Sequence, residues 1–138
     1  MFDPTTRAIQ KVGAAILNGR NILVVRKKRQ ESDHYIMPGG RMEEGETQRE
    51  TLTRELREEL GVKVRSFEYI GSYSDIAVFE GDPLIIHAYQ VEIEGEITPL
   101  AELGECRWID AHFEQNGIKV GSIMAKKVIP ELVRNGKM

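Results

Sequence analysis

"PGGRMEEGETQRETLTRELREELGV", residues 38–62, decides how this chain reads. It opens on Pro38-Gly39-Gly40, which does not easily continue regular structure and lets the backbone come close to a neighbour. From Thr47 to Leu60 the spacing turns helical. At about 100° per residue, Leu52, Leu56 and Leu60 fall on one stripe that can dock on a sheet. Gly61 is a good stop just past the end. Glu55, Glu58 and Glu59 lie together on the adjoining arc. Glu55 and Glu59 are four residues apart, where like charges cost roughly 0.2–0.5 kcal/mol. Arg54 and Glu58 have the same spacing and can pair, although a Glu placed before the basic residue is the better order.

Two readings compete for this acidic arc. A bare charge run usually means a solvated face, here laced by Arg49, Arg54 and Arg57. The residues in front of the helix favour chemistry instead. A glycine-rich loop and a further carboxylate, Glu46, lead straight into it, and oxygen donors clustered beside such a loop suit a hard divalent cation. Mg²⁺ prefers octahedral oxygen ligands, keeps several waters and is often held by a few carboxylates plus substrate phosphates. Cations among these glutamates relieve their repulsion and draw an anionic diphosphate to an acidic protein. A local rule broken in this way is expected at a functional site. Gly40-x4-Gly45-Glu46-Thr47 has the spacing of a P-loop, but Glu46 stands where that motif needs lysine. No G-x-G-x-x-G follows a strand.

Composition bounds the rest. The chain has 138 residues, read as a single domain over 1–138, with a formal net charge of -3. That charge argues against binding a nucleic acid polymer, which calls for a basic face. One cysteine, Cys106, and three histidines give no disulfide and no zinc spacing. The first apolar run, Val12 to Leu17, is too short to span a membrane and lacks a cleavage pattern. A cytoplasmic protein without membrane contact is expected.

Along the chain, "KVGAAILNGRNILVVRKK" reads as two strands joined at Asn18-Gly19. Asp33 to Arg41 reads as a loop and Val64 to Tyr73 as a strand. Ile76 to Phe79 and Leu84 to Ile93 read as a pair turning through Gly81-Asp82-Pro83. A loop is expected from Gly95 to Glu105, then a short strand at Trp108. The C-terminal part reads as helical, capped at Ser122 and broken or kinked at Pro130. Strands with one long central helix and a terminal one suggest an α/β fold, a mixed sheet covered on both faces.

Gly40 to Val62 matches the Nudix box at every position: Gly40, five residues, Glu46, seven residues, Arg54-Glu55-Leu56, one residue, Glu58-Glu59, one residue, Gly61-Val62. The chain therefore resembles the Nudix hydrolases. More weakly, "VVRKKRQESDHYIMPGGRMEEGET" resembles the entry to that box in nucleotide-type members, and "AELGECRWID" the loop and strand after it. The resemblance implies an α/β/α sandwich with a mixed β-sheet. It also implies hydrolysis of a nucleoside diphosphate linked to another group, by metal-activated water. Glu55, Glu58 and Glu59 would ligate Mg²⁺ (with Mn²⁺ able to substitute), and the Gly39 or Gly40 carbonyl would add a ligand. Arg54 would orient a catalytic carboxylate, and Glu46 would support the loop or outer metal shell. The family often draws its base, or an extra ligand, from the later loop, where Glu102 is the first choice and Glu105 the second. The plain alternative is that both are exposed loop charges.

Other residues carry weaker signals. Arg26 is the member of the run Arg26 to Arg29 chosen for a phosphate or base contact, although a solvated strand edge accounts for most of that run. Tyr35 either stacks on a base or packs under the loop. His34 reads as a surface residue, His87 as packed beside the core on a face with Ile85, Tyr89 and Val91, and Trp108 and Cys106 as structural. Phe79 and Phe113 are open to a pocket-lining role. The substrate is left among a nucleoside triphosphate, oxidised forms included, ADP-ribose and other nucleotide sugars. Capped RNA ranks lower for want of an obvious extra domain. A nucleotide-sensing module without turnover is the alternative. An isomerase of the same fold is disfavoured by the single cysteine, and a homodimer is suggested by the family alone.

Overall fold

The computed structural model describes residues 8–29, 33–76, 83–100 and 102–138. In chain order the elements are β1 (Ile9–Ala15), β2 (Leu17–Asn18), β3 (Asn21–Lys27), β4 (Gly39–Arg41), α1 (Gln48–Leu60), β5 (Lys63–Ile76), β6 (Pro83–Glu94) and β7 (Leu103–Ile109). A π-helical turn, Met124–Val128, then runs into α2 (Ile129–Arg134).

The strands carry apolar residues on both faces, as strands covered on both sides must. Val12 and Ala14 of β1, with Leu23 and Val25 of β3, join one core with Leu52, Leu56 and Leu60 of α1. Their alternates Ala15, Ile22 and Val24 join a second core with Ile123, Val128 and Leu132 of the C-terminal segment. The sheet therefore lies between α1 and the C-terminal helical run. This is the α/β/α sandwich expected from the sequence.

One sheet has the order β4-β1-β6-β5, the other β2-β3-β7. The first is mixed: β1 runs parallel to β6, from Ile9↔Leu84 to Ala15↔Gln90, and antiparallel to β4. The hairpin expected at Asn18-Gly19 is only its own short tip. β2 pairs with β3 through Leu17↔Ile22 and Asn18↔Asn21, while β1 belongs to the other sheet. Gly19 and Arg20 make the turn, with Gly19 at φ 60°.

The loop expected over Asp33 to Arg41 contains β4. Two glycines without side chains let that segment lie against β1, pairing Val12↔Gly40 and Gly13↔Gly39. β5 continues past Tyr73 to Ile76 and forms one long hairpin arm with β6, interrupted by two bulges. Ile76 thus ends β5 instead of opening a new strand. Phe79 and the Gly81-Asp82 turn lie outside the described residues. Strand β7 starts at Leu103, earlier than read, because it pairs along β3 from Lys27↔Leu103 to Ile22↔Ile109. Pro130 lies inside a helical run that is continuous from Ser122 to Arg134, directly after the π-helical turn, so it divides the run into a π-helical and an α-helical part instead of ending it. Trp108 is 37% exposed, so its ring is no core element. Phe113 is buried and lines a cavity of about 320 Å³ with His34, Ile118 and Lys119.

Candidate functional site

Helix α1 is anchored at both ends before any chemistry is considered. Thr47 Oγ1 accepts from Glu50 N, and Glu50 Oε1 accepts from Thr47 N, both at 3.1 Å. Such a capping box contributes about 1 kcal/mol. Gly61 closes the helix at φ 69°. The segment after β6 then satisfies the last carbonyls: Thr98 N donates to Leu60 O at 2.9 Å, and Leu100 N to Glu59 O at 2.8 Å. Leu52, Leu56 and Leu60 are fully buried, at about 1.5–3 kcal/mol each. The helix is thereby fixed to the sheet, and its acidic arc is fixed beside β4.

Arg54 organises that arc. Its Nε donates to Glu46 Oε2 at 2.7 Å and one terminal nitrogen to Glu46 Oε1 at 2.9 Å, a two-pronged contact. The other terminal nitrogen reaches Glu55 Oε1 at 2.9 Å and Glu58 Oε2 only at 3.5 Å. The pairing with Glu58 read from helix spacing is thus longer than those with Glu46 and Glu55, and only Glu43, at 3.8 Å, lies further off. Glu46 also accepts from Glu43 N at 2.9 Å and Thr51 Oγ1 at 3.1 Å. The Arg54 guanidinium, with that backbone N–H, holds the Glu46 carboxyl down at about 2. Arg49 turns away and stacks over Phe67 at 5.4 Å, so it adds no charge to the arc that Arg54 laces.

Glu59 is the unusual member. It is 8% exposed, and its Oε2 accepts from Gly39 N at 3.3 Å. Burial, and then the neighbouring Glu55 carboxylate, raise its pKa from 4.5 to about 8; Gly39 N–H and the Lys27 ammonium oppose the rise only in part. A buried acid beside a second acid lacks positive charge. Gly40 explains how the two come so close to the backbone. A Cβ there would meet Glu55 Oε1 at 2.5 Å, and a Cβ on Gly39 would meet Val12 O at 2.1 Å.

Among the described residues no three acidic, His or Cys groups converge closely enough to hold an ion as they stand. Glu55 is turned onto Arg54, Glu59 onto Gly39 N–H, and the Glu58 side chain is 53% exposed. The fit to a hard cation lies in the donor set and the room. Glu55 and Glu59 lie against the Gly39–Gly40 backbone, Glu58 stands on the same helix at the exposed edge, all donors are oxygen, and glycine leaves the Glu55 carboxylate its room.

The other sequence candidates fall in two places. Arg26 and Tyr35 form a cluster of their own with Glu105 and Arg107. Tyr35 Oη donates to Glu105 Oε2 at 2.9 Å, and the Arg26 and Arg107 guanidinium carbons lie 5.4 and 5.8 Å from its ring centre. The Tyr35 ring is buried, so it packs under the loop here. Glu102, in contrast, lies on the segment tied to α1. Its carbonyl accepts from Lys28 N at 2.8 Å, and its residue is exposed.

Sequence reasoning passed over Lys27, whose charge bears on Glu59. Its position beside Arg26 in one basic run left only strand alternation to separate them, and a bulge falls between the two.

A family model described as "NUDIX domain" matches residues 8–120. The chain belongs to the Nudix family. The CTP pyrophosphohydrolase of Escherichia coli is 33% identical over 87 residues, 62% of this chain and 63% of that protein. The NAD-capped RNA hydrolase of Vibrio atlanticus is 27% identical over 121 residues, 86% of this chain and 43% of that one. The aligned segment spans about 60% of the length of the curated relatives matched first. Among solved structures, the E. coli ORF135 protein superposes with a TM-score of 0.74 at 27% identity, covering 96% of this chain and 91% of that one. A Nudix hydrolase from Nitrosomonas europaea gives 0.78 at 18% identity, covering 95% and 91%, and so supports the fold alone.

Proposed function

We propose that this Nudix chain is a Mg²⁺-dependent pyrophosphohydrolase, with Mn²⁺ able to substitute. It cleaves a nucleoside diphosphate linked to another group, a nucleoside triphosphate foremost. The observation that carries the reading is a buried Glu59 held against Glu55 beside the Gly39–Gly40 backbone, an arrangement in which both carboxylates ionise at low cost only with positive charge beside them. The E. coli relative's name favours a triphosphate, which leaves a monophosphate and pyrophosphate. ADP-ribose and other nucleotide sugars are the next class. The partner is a small nucleotide, not a nucleic acid polymer.

Glu55, Glu58 and Glu59, with the Gly39 or Gly40 carbonyl, would hold the cation. When bound, it supplies Lewis-acid polarisation of a phosphoryl oxygen and a water of lowered pKa. Arg54 keeps Glu55 in place, and Glu46 keeps Arg54 in place. Arg54→Lys loses the two-pronged contact, because an ammonium is a point charge and not a fork. We expect kcat to fall about 10–100-fold with KM little changed; an unchanged kcat in steady-state assays overturns the positioning role.

The base we assign is Glu102, whose carboxylate carries no hydrogen bond or ion pair among the described residues, whereas Glu105 is engaged by Tyr35. Glu102→Gln is expected to lower kcat roughly 10²–10⁴-fold, and Glu105→Gln far less. The reverse order of effects moves the base to Glu105. The reaction itself is tested by product analysis over canonical and oxidised nucleoside triphosphates, ADP-ribose, nucleotide sugars and dinucleoside polyphosphates, with Mg²⁺ and with chelator. Metal-dependent cleavage of one class, lost in Glu58→Gln, is the expected result. Nucleotide binding without any product points instead to a sensing module.

A further inference from the structure

A cleft of about 730 Å³ lies between the 41–46 loop, the first residue of α1 and the start of β1. It is on the α1 side of the sheet, and its wall includes Gln10, Gln48, His87 and Met42. Nothing in the proposed hydrolysis uses Gln10, His87 or Gln48.

Their hydrogen bonds leave a definite pattern. Tyr89 Oη donates to Gln48 Oε1 at 2.6 Å. Gln10 Oε1 faces His87 Nε2 at 2.6 Å, so that nitrogen carries the proton, and His87 Nδ1 accepts from Ser72 Oγ at 2.6 Å. Ser72 in turn accepts from Tyr69 Oη at 2.6 Å. Burial lowers the His87 pKa. Both glutamine carbonyls are thus engaged from the sheet, and what each amide has left is its NH₂ group. No buried side-chain nitrogen or oxygen lacks a partner in the described residues, so both NH₂ groups are accessible, on residues that line the cleft.

The charges narrow the ligand further. Glu43, Glu44, Glu46 and Arg41 line the cleft, and Arg54 bonds Glu46 at 2.7 Å and lies 3.8 Å from Glu43. Three carboxylates against two guanidinium groups disfavour a phosphate. Two fixed NH₂ donors disfavour an ammonium ion, which needs acceptors. An uncharged planar ring with carbonyl or ring-nitrogen acceptors suits the donors, and any exocyclic amine it carries suits the rim carboxylates.

We infer that this cleft binds an uncharged nucleobase-like heterocycle, with the Gln10 and Gln48 amides donating to its acceptors. Such a ring comes either from the nucleotide being hydrolysed or from a separate nucleoside. Glu46, shared by the cleft wall and Arg54, makes the cleft continuous with the acidic arc.

The test is a titration of the full chain with adenosine, guanosine, cytidine and uridine in chelator, followed through the His87 ring resonances. At least one nucleoside is expected to shift them saturably. Gln10→Leu and Gln48→Leu should each weaken that binding about tenfold, with far-ultraviolet circular dichroism confirming the fold. Glu58→Gln should bind as the unaltered protein does, so a failure of the hydrolase reading leaves this result standing. In steady-state assays with Mg²⁺, competitive inhibition by the nucleoside assigns the ring to the substrate, and a changed kcat assigns it to a separate nucleoside. Silence of His87 toward all four nucleosides, unchanged binding in both leucine variants, or a response to spermidine alone overturns the inference.

Discussion

Glu59→Gln is expected to cut turnover sharply and to make the metal-free protein more stable. The two effects have one cause. Glu59 is buried beside Glu55, and its carboxyl titrates far above the ordinary value of 4.5, at about 8. The folded protein therefore holds that proton more tightly than the unfolded chain does. This contribution favours folding below about pH 4.5 and is lost as pH rises toward 8. Without metal, the unaltered protein should lose melting temperature between pH 5 and pH 8 relative to the variant, because glutamine has no charge to place beside Glu55. Mg²⁺ at pH 8 should restore the unaltered protein, by about 2.7 kcal/mol at a hundred times its Kd, and do little for the variant. Activity should fall on the order of a thousandfold, the scale of several kcal/mol of lost transition-state stabilisation. Melting curves across pH, with chelator and with Mg²⁺, check the first half. Parallel pH profiles for the two proteins sink the argument that Glu59 is a charge waiting for a partner.

The site was readable in the sequence where spacing carries it. Three leucines at helical period fixed which side of α1 faces the sheet, and that placed Glu55 and Glu59 beside whatever lies next to the stripe. The glycine pair announced a close approach, but not what approached what. β4 lies antiparallel on β1, with Gly40 opposite Val12, and β1 takes its parallel neighbour β6 from much further along the chain; no local pattern encodes either pairing. For the same reason the first two strands read as a simple hairpin, although β1 leaves that hairpin for another sheet. Arg54 was read for helix neighbours, whereas its best partner is Glu46, eight residues back and outside the helix. Its position depends on the loop turning over the helix, and spacing along a helix does not report that. The same limit hid the Gln10–His87–Ser72–Tyr69 chain, which crosses three strands. Arg26 and Lys27 were inseparable as letters and are separated in space by a single bulge.

Gly39→Ala and Gly40→Ala, adjacent and chemically identical changes, should fail in different ways. Gly39 has φ 138°, a conformation that side-chain-bearing residues rarely adopt. An added Cβ would lie 2.1 Å from Val12 O and 3.1 Å from Gly13 Cα. Both are backbone atoms of β1 and cannot swing aside. Strain of roughly 1–3 kcal/mol and overpacking of roughly 1–3 kcal/mol combine there, a fall in melting temperature on the order of 10 °C for a chain of this size. At Gly40 the added carbon meets only the Glu55 carboxylate, at 2.5 Å from Oε1 and 2.6 Å from Cδ. That is the free end of a flexible side chain, so it gives way and the fold loses no more than about 1 kcal/mol. Giving way, however, carries Glu55 off its 2.9 Å contact with Arg54 and out of the hollow the glycines keep open. Gly40→Ala should therefore remain folded with activity down about 100-fold, the upper range for disturbing a metal site's surroundings. Thermal melts and steady-state rates on the two variants decide it. A stable, active Gly39→Ala denies that β4 is held against β1 as described, and a fully active Gly40→Ala denies that the Glu55 carboxylate works from this hollow.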